Sequence, residues 1–464
     1  MLLRVAFPMR LSPLLTVLLA ALPLTVPAPL ADAQVITFGS AEDPLELHGA
    51  ALARPVRRAQ VNAGLSFLAP TWHGSAGAEV EAAAGRFSIG LGGLVRAEFD
   101  GTRYGPDASE TYDLARIVRY ARLNPRPGFP VYARVGPTRH VTLGSGALAE
   151  AFAGDADPDE FPIGAEAAVA GPRGRLNVFT DDLRFGRSVV GGYAAFRPFP
   201  AAPAPMRRGF TVGAGAVHDL GLDGDRRTTA VQVDVRTRLG DDADLALRPW
   251  ISYAEYLEYG RGGGVGVDFA ADDLVGAGRA RLRAGVWLNG AGFVPGYFGP
   301  FYAVAHPGAR IIAADAYFAD GRQRIPVDRQ LADAPGGVST ELGFEAAIFE
   351  SVFLDMHARF DFSDVPLNTS RFRVSARPGG IDGLVASFAL YRQGLKNATS
   401  IFTSLEDDQN RLVLDLEYPL PGAFRLLVRS RYGYARLSDD AATGERRYLV
   451  QRRFEPMVAL RAAF

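Results

Sequence analysis

Apolar and polar residues alternate one by one in this chain, over stretches longer than most soluble strands. From Val352 to Phe362, alternate positions hold Val352, Leu354, Met356, Ala358, Phe360 and Phe362. The positions between hold Phe353, Asp355, His357, Arg359 and Asp361. From Phe424 to Tyr434, one set is Phe424, Leu426, Val428, Ser430, Tyr432 and Tyr434, and the other includes Arg425, Arg429 and Arg431. Leu412, Leu414 and Leu416 alternate with Asp415 and Glu417. A helix, at about 100° per residue, would scatter these charges around its axis, whereas a strand, at 180°, collects them on one side. Such segments, separated by Gly, Pro and Asp clusters, recur from Val61 onward.

A strand with one greasy and one wet face belongs either to a sandwich, where the greasy face packs on a second sheet, or to a barrel in lipid. Length favours the barrel, because soluble strands average about 5–6 residues while a tilted membrane strand needs about 9–11. Aromatic placement agrees. Between Phe424 and Tyr434 the rings sit at the two ends of the apolar face with aliphatics between, as interfacial girdles require. A hydrophobic content of 48% also fits, since half of each strand would face a polar lumen. The expected fold is all-β, a transmembrane antiparallel up-and-down β-barrel with an even number of strands, about 18–22. Reading 298–305 and 310–318 as two strands around His306-Pro307-Gly308 brings the count to about 22 and returns both chain ends to one rim.

The N-terminus reads as a targeting segment. Arg4 and Arg10 precede an uncharged stretch containing Leu14, Leu15, Val17, Leu18 and Leu19, and Ala31-Asp32-Ala33 supplies a small-x-small cleavage pattern. Pro23, Pro27 and Pro29 argue against a spanning helix. The expected organisation is a signal peptide over 1–33, a periplasmic lead-in or short plug over 34–60, and the barrel over 61–464. Two long far-side segments could narrow the pore. The better candidate is Gly136 to Phe161, because an unplugged barrel of this width would leak.

Charge excludes some functions. With 50 basic and 51 acidic residues the net charge is −1, so nothing points to nucleic acid. There is no cysteine, hence no disulfide framework or thiolate metal site. The acidic run Asp155 to Glu160 has Pro158 within it and Glu160 where a calcium loop needs Gly, so it reads as a solvated loop. Leu143-Gly144-Ser145-Gly146 is not a nucleophile elbow, and none of the six histidines has metal-ligand spacing with another. Gly262-Gly263-Gly264-Val265-Gly266 lacks the Lys-Ser/Thr of a phosphate loop and reads as a glycine-rich turn and strand start. No cofactor, metal or catalytic group is expected.

The candidate lumen-facing residues are Arg281, Arg283, Asp355, His357, Arg359, Asp415, Glu417, Arg425, Arg429 and Arg431. Arg281 and Arg283 share a face with Trp287 and Asn289. Two readings stand side by side: a selectivity lining for anionic or polar solutes, or a salt-bridged wall that holds the barrel rigid.

The chain ends Met457-Val458-Ala459-Leu460-Arg461-Ala462-Ala463-Phe464, with Val458, Leu460, Ala462 and Phe464 on one face. This strand resembles the terminal signal of Gram-negative outer-membrane barrels, which the barrel assembly machinery reads. Stretches such as Val135 to Leu148 and Phe293 to Tyr302 are similar to those of large porin-like barrel proteins. The resemblance implies an outer-membrane location and passage of small hydrophilic solutes. A structural or assembly barrel with a closed lumen is the alternative, and a barrel enzyme a third. The partners implied are outer-membrane lipid, the assembly machinery and small polar solutes. Trimers are common in the class, and no stretch here marks a homo-oligomer interface. Deleting Phe464 is expected to lower the amount of folded, heat-modifiable protein in the membrane fraction. Normal levels in the deletion strain would reject the signal.

Overall fold

The computed structural model describes residues 58–463 except 69–70, 100–115, 126–129, 139–140, 154–161, 172, 185–187, 200–209, 222–227, 240–244, 272–277, 301, 303–308, 313–330, 333, 349–351, 363–370, 379–384, 394–409 and 437–445. The expected signal peptide, the acidic run Asp155 to Glu160 and the terminal Phe464 lie outside the described residues.

Among the described residues there are 21 strands, from β1 (Arg58–Leu68) to β21 (Arg446–Ala463). All except β14 (Ala309–Ile312) pair antiparallel with their neighbours. β1 pairs with β2 (Thr71–Ala84) on one side and with β21 on the other, from Arg58↔Ala463 to Leu68↔Arg453. That last pairing joins the ends of the sheet, so 20 staves form a closed ring. β1 begins and β21 ends at the same rim, here the near rim, as the even count requires.

The count is 20 and not 22, because the strands on either side of 298–318 pair with each other. β13 (Gly278–Asn289) pairs directly with β15 (Gly337–Ile348), from Gly278↔Ile348 to Asn289↔Gly337. The long connection between them therefore belongs at the far rim, and parity needs no extra hairpin. Its first part turns into the barrel and buries Phe298 and Tyr302. β14 instead runs parallel to β21, with Ala309 beside Arg446 and Ile312 beside Leu449.

The outside is apolar. Exposed large hydrophobics recur at alternate positions, among them Val61, Leu65, Ile89, Val95, Val231, Val233, Val265, Val286, Leu342 and Met356. Exposed rings mark both rims: Phe87, Phe196, Tyr418 and Phe424 at the near one, Trp72, Phe99 and Phe362 at the far one. Water would not tolerate so continuous an apolar belt, and lipid requires it. No described helix is long and apolar enough to cross a membrane. A closed ring satisfies its backbone groups inside hydrocarbon, and the protein is a membrane-spanning barrel of the outer-membrane type.

One aromatic expectation fails. Tyr432 and Tyr434 of β20 (Phe424–Arg436) are only 7% and 3% exposed. They pair with Arg452 and Val450, beyond the last rung shared by β1 and β21 and next to the part of β21 that β14 joins. This end of the hairpin is not part of the lipid-facing ring.

Leu342 lies mid-strand, 57% exposed, facing outward. Arg429 lies inside, 3.5 Å from Glu79. Leu342→Arg is expected to cost roughly 2–4 kcal/mol, the penalty for a cation at the bilayer midplane. Leu426→Arg should cost less, since Leu426 sits two residues from the near-rim Phe424. Arg429→Ala should change stability least. Urea titration of variants refolded in lipid vesicles measures the order, and equal stability of Leu342→Arg and the parent would reverse the faces.

Candidate functional site: a lumen clasp

Two far-rim connections enter the lumen. The first follows β5 (Val131–Gly136) and precedes β6 (Gly164–Ala170), and the second joins β13 to β15. They meet as a short parallel ladder. Gly296 N–H donates to the Ala147 carbonyl at 2.7 Å, Phe298 N–H to Leu148 at 3.1 Å, and Glu150 N–H to Phe298 at 3.1 Å. Around this ladder Leu143, Leu148, Phe152, Phe293, Phe298 and Tyr302 pack against wall residues Phe179, Tyr193, Trp250, Tyr256 and Trp287. The result is a dry core inside the barrel, dense with ring contacts such as Phe298–Tyr302 at 4.7 Å.

The first loop is pinned at Gly144-Ser145. Ser145 N–H donates to Asp234 Oδ1 at 3.1 Å and its hydroxyl to Ser252 Oγ at 2.8 Å. Gln232, also on β10 (Thr229–Arg236), accepts from Leu148 N–H at 3.2 Å and donates to the Leu143 carbonyl at 3.1 Å. Gly144 has φ +51°, and a Cβ there would lie 2.2 Å from Asp234 Oδ2, so only glycine fits. Ser145, which has no nucleophile motif, is thus a backbone anchor.

The charged residues form the clasp. Glu341 on β15 is buried, and Arg359 on β16 (Val352–Asp361) donates to its Oε2 at 2.7 Å. Trp287 Nε1–H donates to the same oxygen at 2.9 Å, and the Arg283 Nε pairs with Oε1. Loop residue Glu150 bridges His357 Nδ1 at 2.8 Å and Arg359 Nη1 at 3.0 Å. Arg359 also donates to the Pro295 carbonyl of the second loop at 2.7 Å, and Arg283 to the Ser145 carbonyl of the first. Two wall arginines therefore hold both loops. Their guanidiniums lie over indole faces, Arg283 4.9 Å from the Trp250 centroid and Arg359 5.7 Å from Trp287. The indoles need room, and β12 (Gly260–Ala271) provides it: a Cβ on Gly264 or Gly266 would come within 2.5 Å of a Trp ring. The glycine-rich segment expected as a turn and strand start lies within that strand.

Burial alone would raise the Glu150 carboxyl, but the Arg359 and His357 charges outweigh it and hold it below the usual glutamate range.

Three of the candidate residues, Arg283, His357 and Arg359, meet in this clasp. Arg281 lies one lumen-facing step nearer the near rim, opposite Glu345, and Asp355 takes the register position opposite Glu345 on the other side. Asp415, Glu417, Arg425, Arg429 and Arg431 lie on a different wall. There Arg425 is 3.5 Å from Glu417, Arg431 is 3.8 Å from Asp415, and Arg461 Nη2 donates to Glu417 at 2.8 Å. Sequence reasoning missed Glu150, Glu341, Asp234, Gln232 and Trp250. For Glu341 the signal was present, because Ser339, Glu341 and Glu345 alternate with apolar neighbours.

Glu341→Gln leaves two buried guanidiniums short of an anion, and breaking such a pair costs roughly 3–5 kcal/mol. Urea titration should show that loss at neutral pH. Glu150→Gln should also destabilise at neutral pH. Its difference from the parent should shrink only as pH falls below the ordinary glutamate range, because a depressed carboxyl contributes its stability above that range and loses it on protonation. A pH-independent difference would reject the Glu150 latch.

No family model matches the chain, and no curated protein does. Among solved structures it is similar to Pseudomonas aeruginosa OccK2 (OpdF), at 11% identity and TM-score 0.33, with 88% of this chain and 98% of that one covered. It is likewise similar to Pseudomonas aeruginosa OccK9 (OpdG), at 11% identity and TM-score 0.34, with 88% and 98% covered. A third is Wzi of Escherichia coli, described as an outer-membrane carbohydrate-binding β-barrel involved in group 1 capsule assembly. It has 9% identity and TM-score 0.34, with 89% of this chain and 86% of that one covered.

Proposed function

We propose that the protein is an outer-membrane channel that passes small hydrophilic solutes through a lumen narrowed by two inward loops. One observation carries this reading. The loops are fastened to one wall by side chains that a bare structural barrel would not need, while another wall keeps charged side chains partly exposed toward the lumen. A pore of this kind needs no catalysis, because it only removes the desolvation barrier of the bilayer. The third reading, a barrel enzyme, has no support in the way Ser145 and His357 are used. Ser145 anchors a loop, and His357 is held between Glu150 and Glu341.

The second reading, a closed structural barrel, draws on the full burial of Phe152, Trp287 and Phe298, which pack part of the lumen as tightly as a soluble core. Folding is expected to depend on the assembly machinery and on lipid in either case.

Planar-bilayer recording in KCl separates the two. The channel reading expects small, stepwise conductance from the parent, and larger or noisier steps from Glu150→Gln as the first loop loosens. Silence from both proteins, when each is heat-modifiable and therefore folded, would favour the closed barrel.

A further inference from the structure

The lumen-facing charges differ in how dry they are. In the clasp the paired side chains are 1–14% exposed. Along β20 and its flanks they are 17–36% exposed. On β20, Arg425, Arg429 and Arg431 form a basic rail. Acids lie on both sides of it: Glu417 and Asp415 on β19 (Asn410–Pro419), and Glu79 on β2, reached across β21 and β1. Arg429 Nη2 stands 3.5 Å from Glu79 Oε1.

Resting on the channel reading above, we infer that the solute path runs along this wall and that its paired charges favour small zwitterionic solutes. The pairs made by the β20 arginines stand at 3.5–3.8 Å, looser than the 2.7–3.0 Å contacts from Arg359 to Glu341 and Glu150 in the clasp, and water reaches them; Glu417 is held in addition by Arg461 at 2.8 Å, so Glu79 and Asp415 are the looser acids. A monovalent ion that engages one member strands the other, and over a Debye length of about 8 Å the two signs largely cancel, so neither cations nor anions are drawn in strongly. A solute carrying both an ammonium and a carboxylate replaces one pair by two and strands nothing. Successive arginines on the rail let it move from pair to pair.

The test uses the full-length protein in liposomes. Isosmotic swelling compares the zwitterion glycine with neutral glycerol, and a KCl gradient gives the reversal potential. The expected result is glycine entry about two- to fivefold faster than glycerol, the range that one or two exposed ion pairs supply, with a reversal potential near zero. The double variant Glu79→Gln/Asp415→Asn should abolish the glycine advantage over glycerol and shift the reversal potential toward anions. Should that variant fail to fold, Asp415→Asn alone should shift both readouts in the same direction. Glycerol and KCl passage without a glycine advantage, or strong selectivity for one ion sign in the parent, would overturn the inference and leave the channel intact. Failure of every solute and ion to pass would overturn both.

Discussion

Inside hydrocarbon no water is present to satisfy a peptide group, and every unpaired N–H or C=O is costly. The pairing of β1 with β21 follows from that constraint, and the rest of the structure depends on it. A ring closed by Arg58↔Ala463 through Leu68↔Arg453 has no edge to expose. Closure also makes the two faces of every strand inequivalent, one toward lipid and one toward the lumen. Leu342 and Met356 can then stand outside while Glu341 and His357, one residue away, stand within.

Twenty staves enclose more space than their own side chains fill, and an empty ring of that width would be a leak. The chain answers with two segments that leave the far rim and pack as a soluble core would, aromatic against aromatic, around a backbone ladder. Their docking is polar where it meets the wall. Asp234 and Gln232 receive the turn at Gly144-Ser145, and the carboxylates of Glu150 and Glu341 are matched by Arg283, Arg359, His357 and an indole N–H. Buried ions break even only when good geometry and further hydrogen bonds meet their charge, as the donors on both Glu341 oxygens do here. The same chemistry left looser along β20 gives a wall that water reaches.

The alternation that placed Met356 outside and Arg359 inside was legible because a period of two is a property of the strand itself. The same rule misread 298–305. Phe298 and Tyr302 supply rings at strand-like spacing, but those rings bury into Phe152, Tyr256 and Tyr297. It also misjudged Tyr432 and Tyr434, whose outward parity is correct but whose position lies past the closed part of the ring.

The sequence by itself determined that this chain forms long amphipathic strands and which side of each is polar, since both follow from residue order within about ten positions. It also marked Arg283, His357 and Arg359 as members of the polar side. Only the tertiary structure decided that these three share a pair of carboxylates, because Glu150 and Glu341 come from a distant loop and a neighbouring strand. It alone decided that Arg429 meets Glu79 and that the ring closes at 20. Such partners are fixed by register and by barrel curvature, which arise when the staves assemble and leave no trace in the spacing of residues along any one of them.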